Sequence, residues 1–228
     1  MKTCKLLLLI ALLAVCSYSK SQSKEQFPFK NSHKVTVSTN DFKFIEKGYY
    51  IKPIPALEIG YLCVAQPYDS NFYLELGAGL MCAYGNVAKT KTKVEDFIIK
   101  KTTSISLFSI TVPLNFGYNI KLSDETSLSP YIGVYQRINI AGCIATKVSS
   151  SPDKGVIKKY ERISKSGAQL FLENEETEKL NRHQVGVLGG LKVNYNEFSC
   201  GITYGYDFLG FDEHTKSMSW GLNFGYTF

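Results

Sequence analysis

His33, His183 and His214 are the only histidines in this 228-residue chain. One of them sits among residue types that nucleophilic catalysis uses. Asp212, Glu213 and Ser217 flank His214 and would supply an orienting carboxylate, a base and a hydroxyl. Neighbours in one short connection seldom converge on a single reacting atom, so the expectation is a chain that is not an enzyme. No phosphate-cradling glycine motif and no zinc signature is present. Beyond the first sixteen residues the cysteines are Cys63, Cys82, Cys143 and Cys200, and their spacing is not that of metal ligands. No cofactor is expected.

A second set of residues carries buried charge. Glu58, Glu75, Arg137, Lys192 and Asp207 share the polar parity of alternating segments with Tyr73, Tyr131, Tyr135, Asn115 and Asn223. Inside a narrow barrel such ions must be paired, because desolvating a lone ion costs several kcal/mol. The plain expectation is a network of salt bridges and hydrogen bonds that plugs the lumen. The alternative is a narrow porin-like path for ions or small solutes, gated by Arg137 against Glu75 or Glu58. A third set, Lys89, Lys91, Lys93, Lys100 and Lys101, crowds the segment Asn86–Thr103 against Glu95 and Asp96. On an outer loop these lysines would meet lipopolysaccharide phosphates; a solvated loop is the plainer reading.

These residues must be positioned by strands, because period-2 patterning recurs throughout. The residues Trp220, Leu222, Phe224, Tyr226 and Phe228 alternate with Gly221, Asn223, Gly225 and Thr227, giving one aromatic face and one small polar face. Phe108, Ile110, Val112, Leu114, Phe116, Tyr118 and Ile120 oppose Ser109, Thr111, Pro113, Asn115, Gly117 and Asn119 in the same way. Strands are expected near 33–40, 54–65, 71–85, 104–121, 127–146, 183–194, 197–208 and 216–228. Short links at 66–70, 122–126 and 195–196 alternate with longer ones at 41–53, 86–103, 147–182 and 209–215. Pro113 inside a strand suggests a bulge.

Bulky apolar side chains thus share one face, while glycine, hydroxyl, amide and a few charged groups share the other. A soluble barrel shows the reverse. The predicted fold is all-β: an eight-stranded antiparallel up-and-down transmembrane β-barrel. Its tight turns would lie on the periplasmic side and its long loops outside. Trp220, Phe224, Tyr226 and Phe228 would form the C-terminal signal that barrel assembly machinery recognises.

The N-terminus agrees with export. Lys2 and Lys5 precede the apolar run Leu6–Val15, and Ser17, Ser19 and Ser21 offer a cleavage zone of signal-peptide type. Residues 1–21 are expected to be the signal peptide, cut near 19–21, with 22–32 as an N-terminal segment and 33–228 as the barrel. Lipidation at Cys16 is disfavoured by Val15 before it. Removing Lys2, Lys5 and Lys20 leaves 23 basic residues against 20 acidic, which argues against nucleic acid as a partner. The long loop 147–182 is basic in its first half and acidic in its second, with a short helix or hairpin near 168–181. Loops on a rigid scaffold are where interaction usually sits.

The segment Ser109–Tyr118 (SITVPLNFGY), followed by Leu128–Val134 (LSPYIGV), resembles the core of the PorT-like outer-membrane β-barrel family of Bacteroidetes-type bacteria. Val185–Gly190, Ile202–Tyr206 and Gly221–Phe228 fit the closing strands, so the resemblance runs from about Lys34 onward. It implies an eight-stranded barrel in the outer membrane, no shared catalytic residues, and for some members an accessory part in secretion. The long 147–182 loop departs from that pattern. The expected protein is a non-enzymatic barrel in the outer membrane of a Gram-negative bacterium. Its expected partners are membrane lipid and lipopolysaccharide, the barrel assembly machinery, and a protein at the outer loops. A narrow channel and a soluble exported ligand-binding barrel are the alternatives.

Overall fold

The computed structural model describes residues 29–46, 52–94, 97–152, 162–171, 181–211 and 215–228. The expected signal peptide, most of the N-terminal segment and His214 with Asp212 and Glu213 lie outside them. Ten strands follow in chain order: β1 (Phe29–Glu46), β2 (Ile54–Pro67), β3 (Phe72–Val94), β4 (Phe97–Tyr118), β5 (Ile120–Lys121), β6 (Thr126–Pro152), β7 (Arg162–Gln169), β8 (His183–Tyr195), β9 (Phe198–Leu209) and β10 (Thr215–Thr227). Eight of them form a ring of antiparallel neighbours, β1-β2-β3-β4-β6-β8-β9-β10, closed by β10 against β1. The seam runs in unbroken register from Lys34↔Thr227 through Asn40↔Gly221 to Glu46↔Thr215. Within the ring, closure leaves no unpaired edge. The eight-stranded up-and-down barrel of the sequence analysis is the fold observed, although β1 already pairs with β2 at Phe29 rather than starting near 33.

One end of the ring carries tight turns. Asp69 (φ 48°) joins β2 to β3, and Asn196 (φ 51°) joins β8 to β9. Both occupy the left-handed region, which Asp and Asn tolerate better than other side chains. Gln66 Nε2 donates to the Ser70 carbonyl at 2.7 Å and fixes the first turn.

The other end differs from expectation. Residues 86–103 are not a loop: β3 and β4 continue as a paired hairpin to Val94↔Phe97. The β-branched residues Val87, Thr90, Thr92, Ile98, Ile99, Thr102 and Thr103 favour strand, a signal that the lysines between them mask. Likewise β6 runs on to Pro152, and β7 pairs back onto it from Cys143↔Gln169 to Ser150↔Arg162. A hairpin therefore begins well before 168, and part of the 147–182 loop is sheet. β3, β4, β6 and β7 together rise past the ring as a four-stranded platform.

Pro113 makes no bulge. The β3–β4 ladder stops at Leu76↔Leu114 and resumes at Gly79↔Thr111 in the same register. Lacking an N–H, the proline opens a gap in the ladder without shifting it. The register shifts fall elsewhere: between Phe108 and Ser109 against β6, between Asn86 and Ala88, and between Val185 and Gly186.

Candidate functional site

Alternation along every stave sends one parity into the lumen, and the lumen is layered. In the layer nearest the tight turns, Glu75 is buried and accepts from Lys192 Nζ at 2.5 Å and from Asn115 Nδ2 at 3.1 Å. Lys34 Nζ lies 3.7 Å from its other oxygen. Lys192 also stands 4.1 Å from the centroid of the Tyr131 ring. The Tyr131 hydroxyl bonds Thr203, which accepts from Asn223 Nδ2 at 2.6 Å.

A second ion pair sits further along. Arg137 Nη1 is 3.4 Å from Asp207 Oδ2, and the carboxylate also accepts from the hydroxyls of Tyr135 and Ser217. The guanidinium lies 5.0 Å from the Tyr135 ring centroid and 4.9 Å from that of Phe42. Arg137 therefore pairs with Asp207, not with Glu75 or Glu58. Register explains the choice: Arg137 is opposite Gln184 on β8, and Asp207 is opposite Gly186 one pleat away. Ser217, singled out as a nucleophile type, is buried here as a donor to Asp207.

Glu58 lies between the two layers on the wall of a cavity of about 110 Å³, with Lys34, Thr111, Asn115 and Arg137 also lining it. Thr111 Oγ1, Asn115 Oδ1 and Arg137 Nε have no protein partner. A space of that size and polarity suits several waters, and it falls short of the roughly 300 Å³ of a small-ligand pocket. Lys34, Arg137 and Lys192 balance Glu58, Glu75 and Asp207, so this stretch of lumen is formally neutral.

Tyrosines fill the bore because glycine faces them. Tyr73 is directly cross-strand from Gly117, Tyr131 from Gly190, and Tyr135 from Gly186. A Cβ built on any of these glycines would run into the facing ring.

Toward the platform the lumen turns apolar, which the polar parity did not predict. Phe42, Phe44, Ile54, Ala56, Met81, Ala83, Val87, Leu107, Phe171 and Phe211 form one buried cluster. Phe44 and Phe211 rings lie 5.2 Å apart, and Phe171 stacks on Phe211 at 6.3 Å. Both capping rings are pinned by backbone bonds: Asn181 N–H donates to the Phe211 carbonyl at 2.6 Å, and Arg182 Nη2 to that of Phe171 at 3.1 Å. Phe42 and Phe44 share the inward parity of Lys34, Thr36, Ser38 and Asn40. Continuing that parity past Asn40 would have revealed them.

The outward parity is the inverse. Tyr84, Ile132 and Phe198 are 67%, 66% and 61% exposed, and Leu80, Phe116, Ile202, Trp220, Phe224, Tyr226 and Phe228 are exposed beside them. Aromatics gather at the tight-turn end, where Phe72 stacks on Phe116 at 5.4 Å and Phe198 meets Tyr226 at 5.2 Å. Another set, Tyr84, Phe108, Tyr204 and Trp220, lies toward the platform. Phe72 and Tyr84 are twelve residues apart on β3, about 40 Å of strand at ~3.3 Å per residue. A tilt of ~45° reduces this to roughly 28 Å, close to the ~25 Å apolar band of membrane barrels.

The lysines divide. Lys91 faces Lys100 across the β3–β4 hairpin, and Lys89 faces Thr102, which in turn faces Lys147 on β6. Lys101 pairs with Thr90 and points to the opposite side. Among the described residues no group of His, Cys, Asp and Glu is placed to hold a metal ion, and the four cysteines form no disulfide.

No protein-family model matches the chain, and no curated protein matches it. Among solved structures, it is similar to the attachment invasion locus protein Ail of Yersinia pestis, in complex with the heparin analogue sucrose octasulfate. Identity there is 14%, over 87% of this chain and 99% of that one, with a TM-score of 0.38. Neisserial surface protein A is 11% identical over 87% and 99% of the two chains, with a TM-score of 0.43. The N-terminal β-barrel domain of Pseudomonas aeruginosa OprF is 11% identical over 87% and 100%, at 0.31. Scores this low do not establish a common fold, and the architecture rests on the strand pairings themselves.

Proposed function

We propose that the protein is a non-enzymatic, non-conducting barrel of a Gram-negative outer membrane that holds a rigid β-platform outside the cell as an interaction surface. The observation that carries this is the inversion of its two faces. The outward side is a continuous apolar and aromatic belt, and the inward side is ion-paired and then sealed by the Phe42–Phe211 cluster. Water would penalise such a belt, whereas lipid accepts it. A soluble ligand-binding barrel would need the reverse and a larger cavity.

Heat-modifiable migration on SDS gels, together with extraction from outer membranes by detergent, tests the address. Recovery in a soluble periplasmic fraction would overturn it. Planar bilayers test the closed lumen: no stable conductance is expected, and reproducible channels would replace this reading with that of a narrow pore. Insertion would depend on the barrel assembly machinery, with the outward aromatics Trp220, Phe224, Tyr226 and Phe228 as the recognised stripe. The PorT-like resemblance supports a finer reading, membership of that family and an accessory part in secretion. Loss of secreted proteins from a deletion strain would support it, and unchanged secretion would remove it.

A further inference from the structure

We propose that the outward face of the β3–β4–β6 platform binds phosphate groups of the outer-leaflet glycolipid through Lys89, Lys91, Lys100 and Lys147. The inference rests on the outer-membrane reading above and adds to it a ligand chemistry and four named contacts.

Register gathers these residues. Partners in an antiparallel ladder share a face, so Lys89, Thr102 and Lys147 form one row across three strands. Lys91, Lys100 and Ser149 form the next row. All four lysines are exposed, and Lys93 continues the β3 series. No Asp or Glu occurs in Gly85–Val94, Phe97–Ser106 or Ala141–Pro152 to interleave with them.

Such crowding is unfavourable in isolation. Like charges directly opposite across a ladder destabilise it, as Lys91 and Lys100 must. Lysine is often placed on a sheet edge to block aggregation, and β3 beyond Ala83 is such an edge, but Lys100 and Lys147 lie on β4 and β6, which are paired on both sides there. A polyanion lying across the rows would remove the repulsion.

Height names the polyanion. The lysine face continues the same outward parity as the apolar belt. Allowing for the register shift at Val87, Lys89 lies about four rises beyond Tyr84, or roughly 13 Å of strand and 9–10 Å of height after tilt. Headgroups extend roughly 5–8 Å beyond each side of the hydrocarbon, and a lysine side chain bridges the remainder. The first row therefore meets the phosphate level of the leaflet, and the second lies just outside it. Ammonium groups bind phosphate there as point charges.

The test uses the purified full chain in zwitterionic detergent micelles, titrated with bisphosphorylated lipid A or with its dephosphorylated form and read by native mass spectrometry. Wild type should retain the phosphorylated lipid roughly tenfold more tightly, a preference of about 1.4 kcal/mol, and added salt should erode it. The variant K89Q/K91Q/K100Q/K147Q should bind both forms alike, while K101Q, altered on the opposite face, should keep the preference. Heat-modifiable migration checks that each variant is folded. No preference in wild type, or an undiminished one in the quadruple variant, overturns the inference. Insertion into phosphatidylcholine vesicles is scored separately. A chain that fails to insert removes the outer-membrane reading and this inference with it; one that inserts without phosphate preference removes only the inference.

Discussion

The two halves of the lumen solve one packing problem with opposite chemistry. Near the tight turns the bore is filled by ions and tyrosines held by one another: Glu75 between Lys34 and Lys192, Asp207 against Arg137. Near the platform it is filled by phenylalanines and aliphatics with scarcely a polar atom among them. The polar half is satisfied only if every partner is present, since a half-paired ion is worse than none. The apolar half tolerates rearrangement, because hydrophobic contacts are not directional. One half therefore supplies specificity of register, and the other supplies closure.

The sharpest way to break this contrast is at Glu75. Glu75→Leu should destabilise the barrel by about 3–5 kcal/mol, because two buried ammonium groups lose their counter-charge. Replacing Lys34, Glu75 and Lys192 together with methionine should restore most of that loss. Urea unfolding in lipid vesicles measures both, and a triple variant as unstable as the single one would contradict the account. In the other half, Phe42→Ala should cost about 3 kcal/mol, without opening a conductance, since the Arg137–Asp207 layer stays closed. Gly190→Val would force Tyr131 out of its place and should cost about 2 kcal/mol, seen as a lower unfolding midpoint and altered near-ultraviolet dichroism of the tyrosines. The smallest effect lies outside the lumen. Lys100→Glu would turn the Lys91 opposition into an attractive pair and should raise the unfolding midpoint slightly in detergent at low salt.

The staves were legible because period 2 is a strong signal when one face is wholly apolar. Phe72 through Tyr84 and Phe108 through Ile120 could hardly be anything else. The inward parity of Glu58, Glu75, Arg137, Lys192 and Asp207 followed directly from it. Which carboxylate meets which cation did not, because pairing depends on the stagger between strands that are not neighbours in sequence. Arg137 reaches Asp207 through the register of β6, β8 and β9, and no local pattern encodes that sum. The contact of Lys34 with Glu75 is hidden for the same reason, since it crosses β2 from β1 to β3. The platform was missed for a different reason. Lysine-rich composition suggested a solvated loop, while the β-branched residues between the lysines were setting strand geometry. Phe171 and Phe211 come from connections between strands, where no periodicity exists to reveal that they fold back over the bore.

The seam between β1 and β10 has a consequence for the order of events during assembly. Lys34 and Thr227 are ladder neighbours although 193 positions separate them, whereas every other pairing in the ring joins ring strands that follow one another along the chain. Hairpins can form early and cheaply, but this last contact is topologically remote and slow by nature. Until it forms, the first and last strands each present a free ladder of N–H and C=O groups. The nascent barrel is then an open, curled sheet with two adhesive margins, and whatever escorts it must shield both until they find each other.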